Sequence, residues 1–285
     1  MSDEDQRTEP SPIETGTDEL LGQRVGHVGV LTFNRPDRRN ALSAGIYRGF
    51  TTALPAVARD PRIRVLMLTG AGGAFCAGGD VKAMNERNTA VAGGRTAQPL
   101  DERIADLRER QRQVSLALRQ LPQPVVAALP GPAAGAGLSI ALAADLRIAA
   151  ERAVLVTAFS GVGGSGDFGG SWFLTRLLGS AKAKELYFLS PRIDAAEALR
   201  LGMVNAVLPD EGFDQAALDW CTTVAARAPI ALRYMKENIN RAETAGLAEA
   251  LDAEAVAMAR SMSTADHREA AAAFVEKRAP VFRGE

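Results

Sequence analysis

The chain has 285 residues, 47% of them hydrophobic, with 33 basic and 34 acidic side chains and a formal net charge of -1. This length suits one large domain with an appendage, and the apolar content is that of a protein with a buried core. The balanced charge excludes a general attraction to nucleic acid or to an anionic membrane, so an anionic ligand requires a local basic patch.

In chain order, residues 1–19 are acidic and rich in Ser, Thr and Pro, and read as a disordered, solvated tail rather than a secretion signal. Val28–Phe33 is predicted as a strand, residues 34–37 as a turn, and Ser43 as the N-cap of an amphipathic helix reaching Arg59. Val65–Thr69 reads as a short buried strand. Residues 85–100 are polar with Gly and Thr, which predicts a mobile loop. Asp101–Arg119 is expected to be helical, with Leu107, Val114, Leu116 and Leu118 near one face and its arginines solvated. Val125–Leu129 is a second buried strand, Leu138–Ala144 a tightly packed helix, and Leu146–Ala149 and Ala153–Thr157 further strands. Trp172–Leu178 and Ala181–Leu189 read as helices, and from Pro209 to Arg278 the chain turns helical and Ala-rich. The fold class is therefore α/β, built of strand-strand-helix units up to residue 208.

No apolar run reaches the about 20 residues that span a bilayer, so a soluble protein is expected. The two cysteines, Cys76 and Cys221, are too few and too far apart for a disulfide framework or a thiolate metal site, and they suit a reducing cytoplasm.

The 27 glycines gather at 70–79, 131–137 and 161–170, each time beside an apolar β-like run. In the first two clusters, GAGGAFCAGGDVK and PGPAAGAGLSIALAAD, a buried strand runs into glycines and then a helix. Such a junction leaves backbone amides free at a helix start, where they can hold an anion. Two of them facing one another can stabilise a carbonyl oxygen as it becomes an oxyanion. Either cluster alone reads equally as a tight turn.

The third cluster, GVGGSGDFGGSW, carries a GxGxxG pattern at Gly161, Gly163 and Gly166. A dinucleotide site requires that pattern to open a helix and to meet an acidic residue at the end of the next strand. Here Asp167 and more glycines follow at once, and Glu185 falls in a helical stretch, so that reading is set aside. Hydrolase chemistry is also disfavoured. His27 and His267 are the only histidines, and the GLSIA stretch around Ser139 has Ala141 where a nucleophile elbow has glycine. No carboxylate and histidine set has metal-ligand spacing. The chemistry must run without imidazole, metal or thiol.

Six blocks now stand in one order: NRPDRRNALS (34–43), FCAGGDVKAM (75–84), PGPAAGAGLSIALAADLRIA (130–149), LGMVNAVLP (201–209), APIALRYMK (228–236) and EKRAPVFRG (276–284). Together they resemble the enoyl-CoA hydratase/isomerase (crotonase) superfamily over nearly everything from residue 24. The resemblance implies a spiral core of ββα units over 20–208 and a helical region over 209–285 that builds a homo-trimer or hexamer. It implies an acyl-CoA thioester as substrate, with coenzyme A entering as part of it and no separate cofactor or metal. By position, the oxyanion-hole amides are those of Gly79 and Ala136, the latter a glycine in the family pattern.

The resemblance also exposes a departure. Family hydratases carry two glutamates that activate and protonate water, and this chain has Ser139 and Phe159 at those positions. Asp167, in the SGDFGG loop, matches the acidic residue of related isomerases, and beside Phe159, Phe168 and Trp172 a carboxylate gains basicity. Capping of the following helix is the structural alternative for Asp167. Arg38, Arg39 and Lys82, with Lys236, Lys277 and Arg283, are expected to meet coenzyme A phosphates. Ala77, Gly78 and Gly135 line the path of the bound thioester, and Met84 with the 85–100 segment contributes to the acyl pocket. Asp80 and Asp145 read as structural. The expected activity is an enoyl-CoA isomerase using Asp167, set against an enoyl-CoA hydratase, isomerisation of an aromatic acyl-CoA, or a non-catalytic acyl-CoA-binding protein.

Overall fold

A computed structural model describes residues 10–94 and 96–285. The chain opens with β1 (Ser11–Pro12), β2 (Leu20–Val25), β3 (Val28–Phe33), α1 (Ala44–Arg59) and β4 (Val65–Gly70). It continues with α2 (Val81–Ala92), α3 (Leu100–Gln111), a π-helical turn at Arg112–Leu116, and α4 (Ala117–Gln120). The centre comprises β5 (Val125–Leu129), β6 (Ala133–Ala134), α5 (Ala136–Ala143), β7 (Leu146–Ala150), β8 (Val154–Val156), α6 (Gly170–Leu178) and α7 (Ser180–Leu189). It closes with β9 (Ile193–Asp194), α8 (Ala195–Arg200), β10 (Ala206–Leu208), α9 (Phe213–Ala225), α10 (Pro229–Ala242), α11 (Leu247–Met262) and α12 (Ala265–Glu276).

The main sheet runs β1-β2-β3-β4-β5-β7-β10, and a second sheet runs β6-β8-β9. From β3 onward every neighbour in the main sheet is parallel. β4, β5 and β7 each give a strand to the main sheet, then a short extended piece to the second layer, then a helix. The extended pieces pair as well: Cys76 bridges Ala133, and β6 lies parallel to β8. Successive ββα units are thus stacked turns of a spiral.

The strands are apolar on both faces because both are covered. Leu31, Phe33, Leu66, Leu68, Ala127 and Leu129 face the interior of the spiral with α1 and α5. Val28, Val30, Val65, Met67, Val126, Ala128 and Ile148 face the other way, onto Phe213, Ala217, Cys221 and Ala225 of α9. This alternation is the period-two signature of a strand, read out on two cores.

Two expectations are corrected. Residues 11–19, expected in the solvated tail, are tied to the core: Ser11 and Pro12 pair with Arg24 and Gln23, and the Ile13 amide donates to the Gly22 carbonyl at 2.9 Å. Residues 1–9 of that expectation lie outside the described residues. The first half of the expected 85–100 loop, residues 85–92, is helix, because the Asp80 side chain accepts from the Ala83 amide at 3.0 Å and caps α2. The chain beyond 209 folds as α9 to α12, and α9 packs on the main sheet.

Candidate active site

The register between two turns of the spiral places the two Gly-rich loops. Cys76 pairs in parallel with Ala133. Gly79 and Ala136 each lie three residues beyond that pair, so the two chains deliver them side by side. Leu42 and Ala134 donate to the carbonyls of Gly78 and Cys76, at 2.8 and 2.9 Å, and lock the strands together. The approach is so close that a Cβ on Gly137 would fall 2.2 Å from the Cys76 carbonyl oxygen, and one on Gly78 would fall 3.1 Å from the Ala136 amide nitrogen. Gly78 also sits at φ 82°, so glycine is required there twice over.

The two amides are free. Ala136 is the first residue of α5, and Gly135 before it caps the helix with no side-chain bond. No hydrogen-bond acceptor is recorded among the described residues for the amide of Gly79 or of Ala136. The α5 helix is buried along its whole length, so its N-terminal dipole is poorly screened there. Met84 closes one side: its Cε lies 2.5 Å from a Cβ built on Gly79.

The third Gly-rich segment brings Asp167. Of its side chain, Oδ1 is buried and has no hydrogen-bond partner. Burial pushes this carboxyl up to about 6, from an ordinary 3.8. Asp167 does not cap α6, whose N-cap is Gly169 without any side-chain bond. Gly161 and Gly163 fall in the turn after β8 and Gly166 opens no helix, so the GxGxxG spacing builds no dinucleotide loop.

Aromatic rings surround this carboxylate. Phe168, buried, stacks on Tyr47 with centroids 6.1 Å apart and planes 3° apart. Phe159 stacks on Tyr187 at 5.8 Å and 16°. The negative charge of Asp167 contributes to raising both tyrosines, behind burial, to about 12. The Ser139 hydroxyl donates to the Gly135 carbonyl at 3.3 Å, and it shares one spot with the Tyr187 hydroxyl: a Cβ built on Gly170 would lie 2.3 and 2.5 Å from the two oxygens. One tyrosine thereby stands by both positions expected to carry glutamates, its ring on Phe159 and its hydroxyl beside Gly170 with that of Ser139. Two of the three tyrosines in the chain stand here. Their scarcity was the only sequence signal for them, and they were missed.

The remaining predicted residues divide. Ala77 donates to the Arg39 carbonyl at 2.9 Å, and Gly135, at φ 53°, has the Phe159 ring within 4.0 Å of a built Cβ. Arg38, Arg39 and Lys82 are exposed beside the first loop. Trp172 stands in a stack of cations, with Arg176 3.7 Å above its ring and Arg119 5.1 Å away. It lines a cavity of about 1110 Å³ that also borders Phe168 and Gly169 but neither Gly79 nor Ala136. Lys277 ends α12 in the left-handed conformation, exposed, and the Arg283 amide donates to Asp266 at 2.6 Å. Within one chain these two are not brought to the loops.

Lys236 is a correction. Rather than reaching solvent phosphates it is buried, paired with Asp145 at 2.7 Å and donating to the Gln123 carbonyl at 3.0 Å. Asp145 in turn accepts from the Val125 amide at 2.7 Å, so the pair ties α10 to the start of β5. Lys236→Met leaves a partly buried carboxylate without its cation and is expected to cost about 3–5 kcal/mol of stability in a urea or thermal melt. Asp80 and Asp145 both bond backbone amides, as expected.

Among the described residues, no group of three or more His, Cys, Asp or Glu side chains is placed to hold a metal ion. Burial pushes the Cys76 thiol up to about 12, which removes it as a nucleophile. The arrangement offers two backbone donors, one poised carboxylate and an aromatic wall.

Two unbonded backbone donors and a buried carboxylate on a ββα spiral suit an enzyme that stabilises developing negative charge, and comparison with known proteins gives its family. The sequence profile of the Enoyl-CoA hydratase/isomerase family matches residues 23–285, so the chain belongs to that family. It is 37% identical over 257 residues to the 1,2-epoxyphenylacetyl-CoA isomerase of Escherichia coli, covering 90% of this chain and 95% of that protein. It is 35% identical over 260 residues to a short-chain-enoyl-CoA hydratase of Clostridium acetobutylicum, covering 91% and 95%. The crystal structure of an enoyl-CoA hydratase from a Polaromonas species superposes with a TM-score of 0.85 at 37% identity, over 93% of this chain and 99% of that one. Similar proteins thus carry both isomerase and hydratase names.

Proposed function

We propose that the chain is an acyl-CoA isomerase that moves a double bond through a thioester enolate, with Asp167 as its single base. The buried, unpartnered Oδ1 of Asp167 carries this reading. In the forward step the carboxylate takes a proton from the α position of a β,γ-unsaturated thioester. The C–H pair moves into the conjugated system, and negative charge collects on the thioester oxygen between the Gly79 and Ala136 amides. The charge then returns through carbon as Asp167 gives the proton to the γ position, leaving the α,β-unsaturated product. Water is neither consumed nor made, which fits a site with Ser139 and Phe159 where a hydratase needs two glutamates. A serine without a base partner does not activate water, and a phenylalanine moves no proton.

The wall of Tyr47, Phe159, Phe168 and Tyr187 supports, as a second reading, an aromatic acyl group as the isomerised substrate. Arg38, Arg39 and Lys82 are the residues we assign to the coenzyme A phosphates. Phe274 and Val275 on α12 are 86% and 80% exposed, which supports assembly as a homo-trimer or hexamer. Among the described residues no helix is long and apolar enough to cross a membrane, and a cytoplasmic enzyme is proposed.

Incubation with α,β- and β,γ-unsaturated acyl-CoA, aliphatic and aromatic, tests the reading. The expected product from the β,γ-isomer is the conjugated thioester, with little β-hydroxyacyl-CoA. Rapid formation of β-hydroxyacyl-CoA would return the chain to the hydratases. Tight thioester binding without turnover of any substrate would make it a non-catalytic binder.

A further inference from the structure

We propose that Gln111 is a positioning residue for Asp167, acting through a hydrogen bond from the Phe168 amide to its side-chain oxygen. The inference rests on the assignment of Asp167 as the base. The Phe168 amide donates to Gln111 Oε1 at 2.8 Å, across 57 residues of sequence. Among the described residues, no other recorded hydrogen bond ties residues 166–169 to an element beyond the helix they open.

The loop needs such a tie. Gly166, Phe168 and Gly169 all have positive φ, at 102°, 50° and 79°. For the two glycines this is ordinary. For Phe168 the left-handed region is strained and persists only when the surroundings enforce it. The enforcement comes from two sides. The Phe168 ring is stacked on Tyr47, and the Arg110 guanidinium lies 5.1 Å from the Tyr47 centroid. Gln111, the next residue, holds the backbone. Adjacent residues of α3 thus fix both the wall and the loop on which Asp167 sits.

The helix is irregular at that point. The π-helical turn Arg112–Leu116 begins directly after Gln111 and buries Val114 and Ser115 against the core. Single π turns mark places where a helix has gained a residue, often at functional sites. Here the buried Val114 and Ser115 anchor the segment beyond Gln111, while α3 before it is exposed along its length. The Asp167 carboxylate has no partner of its own on Oδ1, so its position is inherited from the backbone that Gln111 holds.

The test uses the full-length enzyme with Gln111→Met, which keeps length and removes the acceptor, and Gln111→Glu, which keeps an acceptor oxygen. Turnover of the β,γ-unsaturated thioester, KM, the pH profile and solvent deuterium exchange at the α position are read for each. For Gln111→Met, kcat and exchange are expected to fall by about 10–100-fold with KM little changed, as for a reacting group displaced by an ångström. For Gln111→Glu, kcat is expected to be largely restored, with the acid limb moved to higher pH by the added negative charge.

Wild-type kcat and pH profile in Gln111→Met would overturn the proposal. So would equal losses in both variants, or an unmoved acid limb in Gln111→Glu, which remains readable if Gln111→Met does not fold. Asp167→Asn separates the two levels. If that variant keeps wild-type turnover, the base assignment fails together with the role of Gln111. If it is inactive while Gln111→Met is fully active, the role of Gln111 alone fails.

Discussion

Asp167→Asn is expected to lower kcat for the double-bond shift by about 10²–10⁴-fold, the range for losing a positioned general base, with thioester binding retained. The asparagine keeps the volume of the side chain and cannot accept the α proton. The wild-type enzyme should show an acid limb near pH 6, because burial pushes the carboxyl to about 6 and only its ionised form is a base. That limb should vanish with the residue. A stability readout gives an independent check of sign. The folded-state pKa lies above the ordinary 3.8, so the folded chain binds this proton more tightly than the unfolded chain does. The contribution of the group to stability is therefore present in full below pH 3.8 and lost as the pH rises through about 6. Asp167→Asn should then melt above wild type at pH values well beyond 6 and lose that advantage in acid. Equal melting temperatures across the whole range would mean that the carboxylate is not buried as described.

Ala136→Pro should produce the second large effect, a fall in kcat on the order of 10²–10³ from the loss of one oxyanion donor. Proline is suited to the test because Ala136 is the first residue of α5, where the amide has no intrahelical acceptor and proline is well tolerated. The variant deletes the N–H while keeping the helix. Ala136→Gly, which keeps the amide, should retain near wild-type turnover. Circular dichroism and a melting curve establish that the proline variant is folded. A folded Ala136→Pro enzyme with undiminished kcat would remove the Ala136 amide from the mechanism. The double variant with Asp167→Asn should lose less than the product of the two single losses, since both groups serve the same enolate.

Much of this was legible in the chain itself. The strands Val28–Phe33, Val65–Gly70 and Val125–Leu129 show as apolar runs because both faces of a covered parallel sheet are dry. Ser43 marks the start of α1, its hydroxyl accepting from the Ile46 amide at 3.2 Å. Gly78 and Gly137 record in their missing side chains how near two backbones pass, so the two close-packed loops were visible as Gly clusters, and the family resemblance supplied their role. Local signals failed where long-range contacts decide. Residues 11–19 are polar in composition, yet they are ordered by pairing with β2, and α2 looked like a loop because nothing in a solvated helix demands apolar periodicity.

What the sequence by itself determined is two Gly-rich strand-to-helix junctions with amides available at the helix start, on which the family resemblance then placed Gly79 and Ala136. Only the tertiary structure decided what surrounds the base. Tyr187 on Phe159, Tyr47 on Phe168, and Gln111 on the Phe168 amide are contacts between residues 28 to 121 positions apart. No local period or propensity encodes such contacts. They exist because the spiral stacks its turns in register, and the environment that sets the basicity of Asp167 is made where those turns meet.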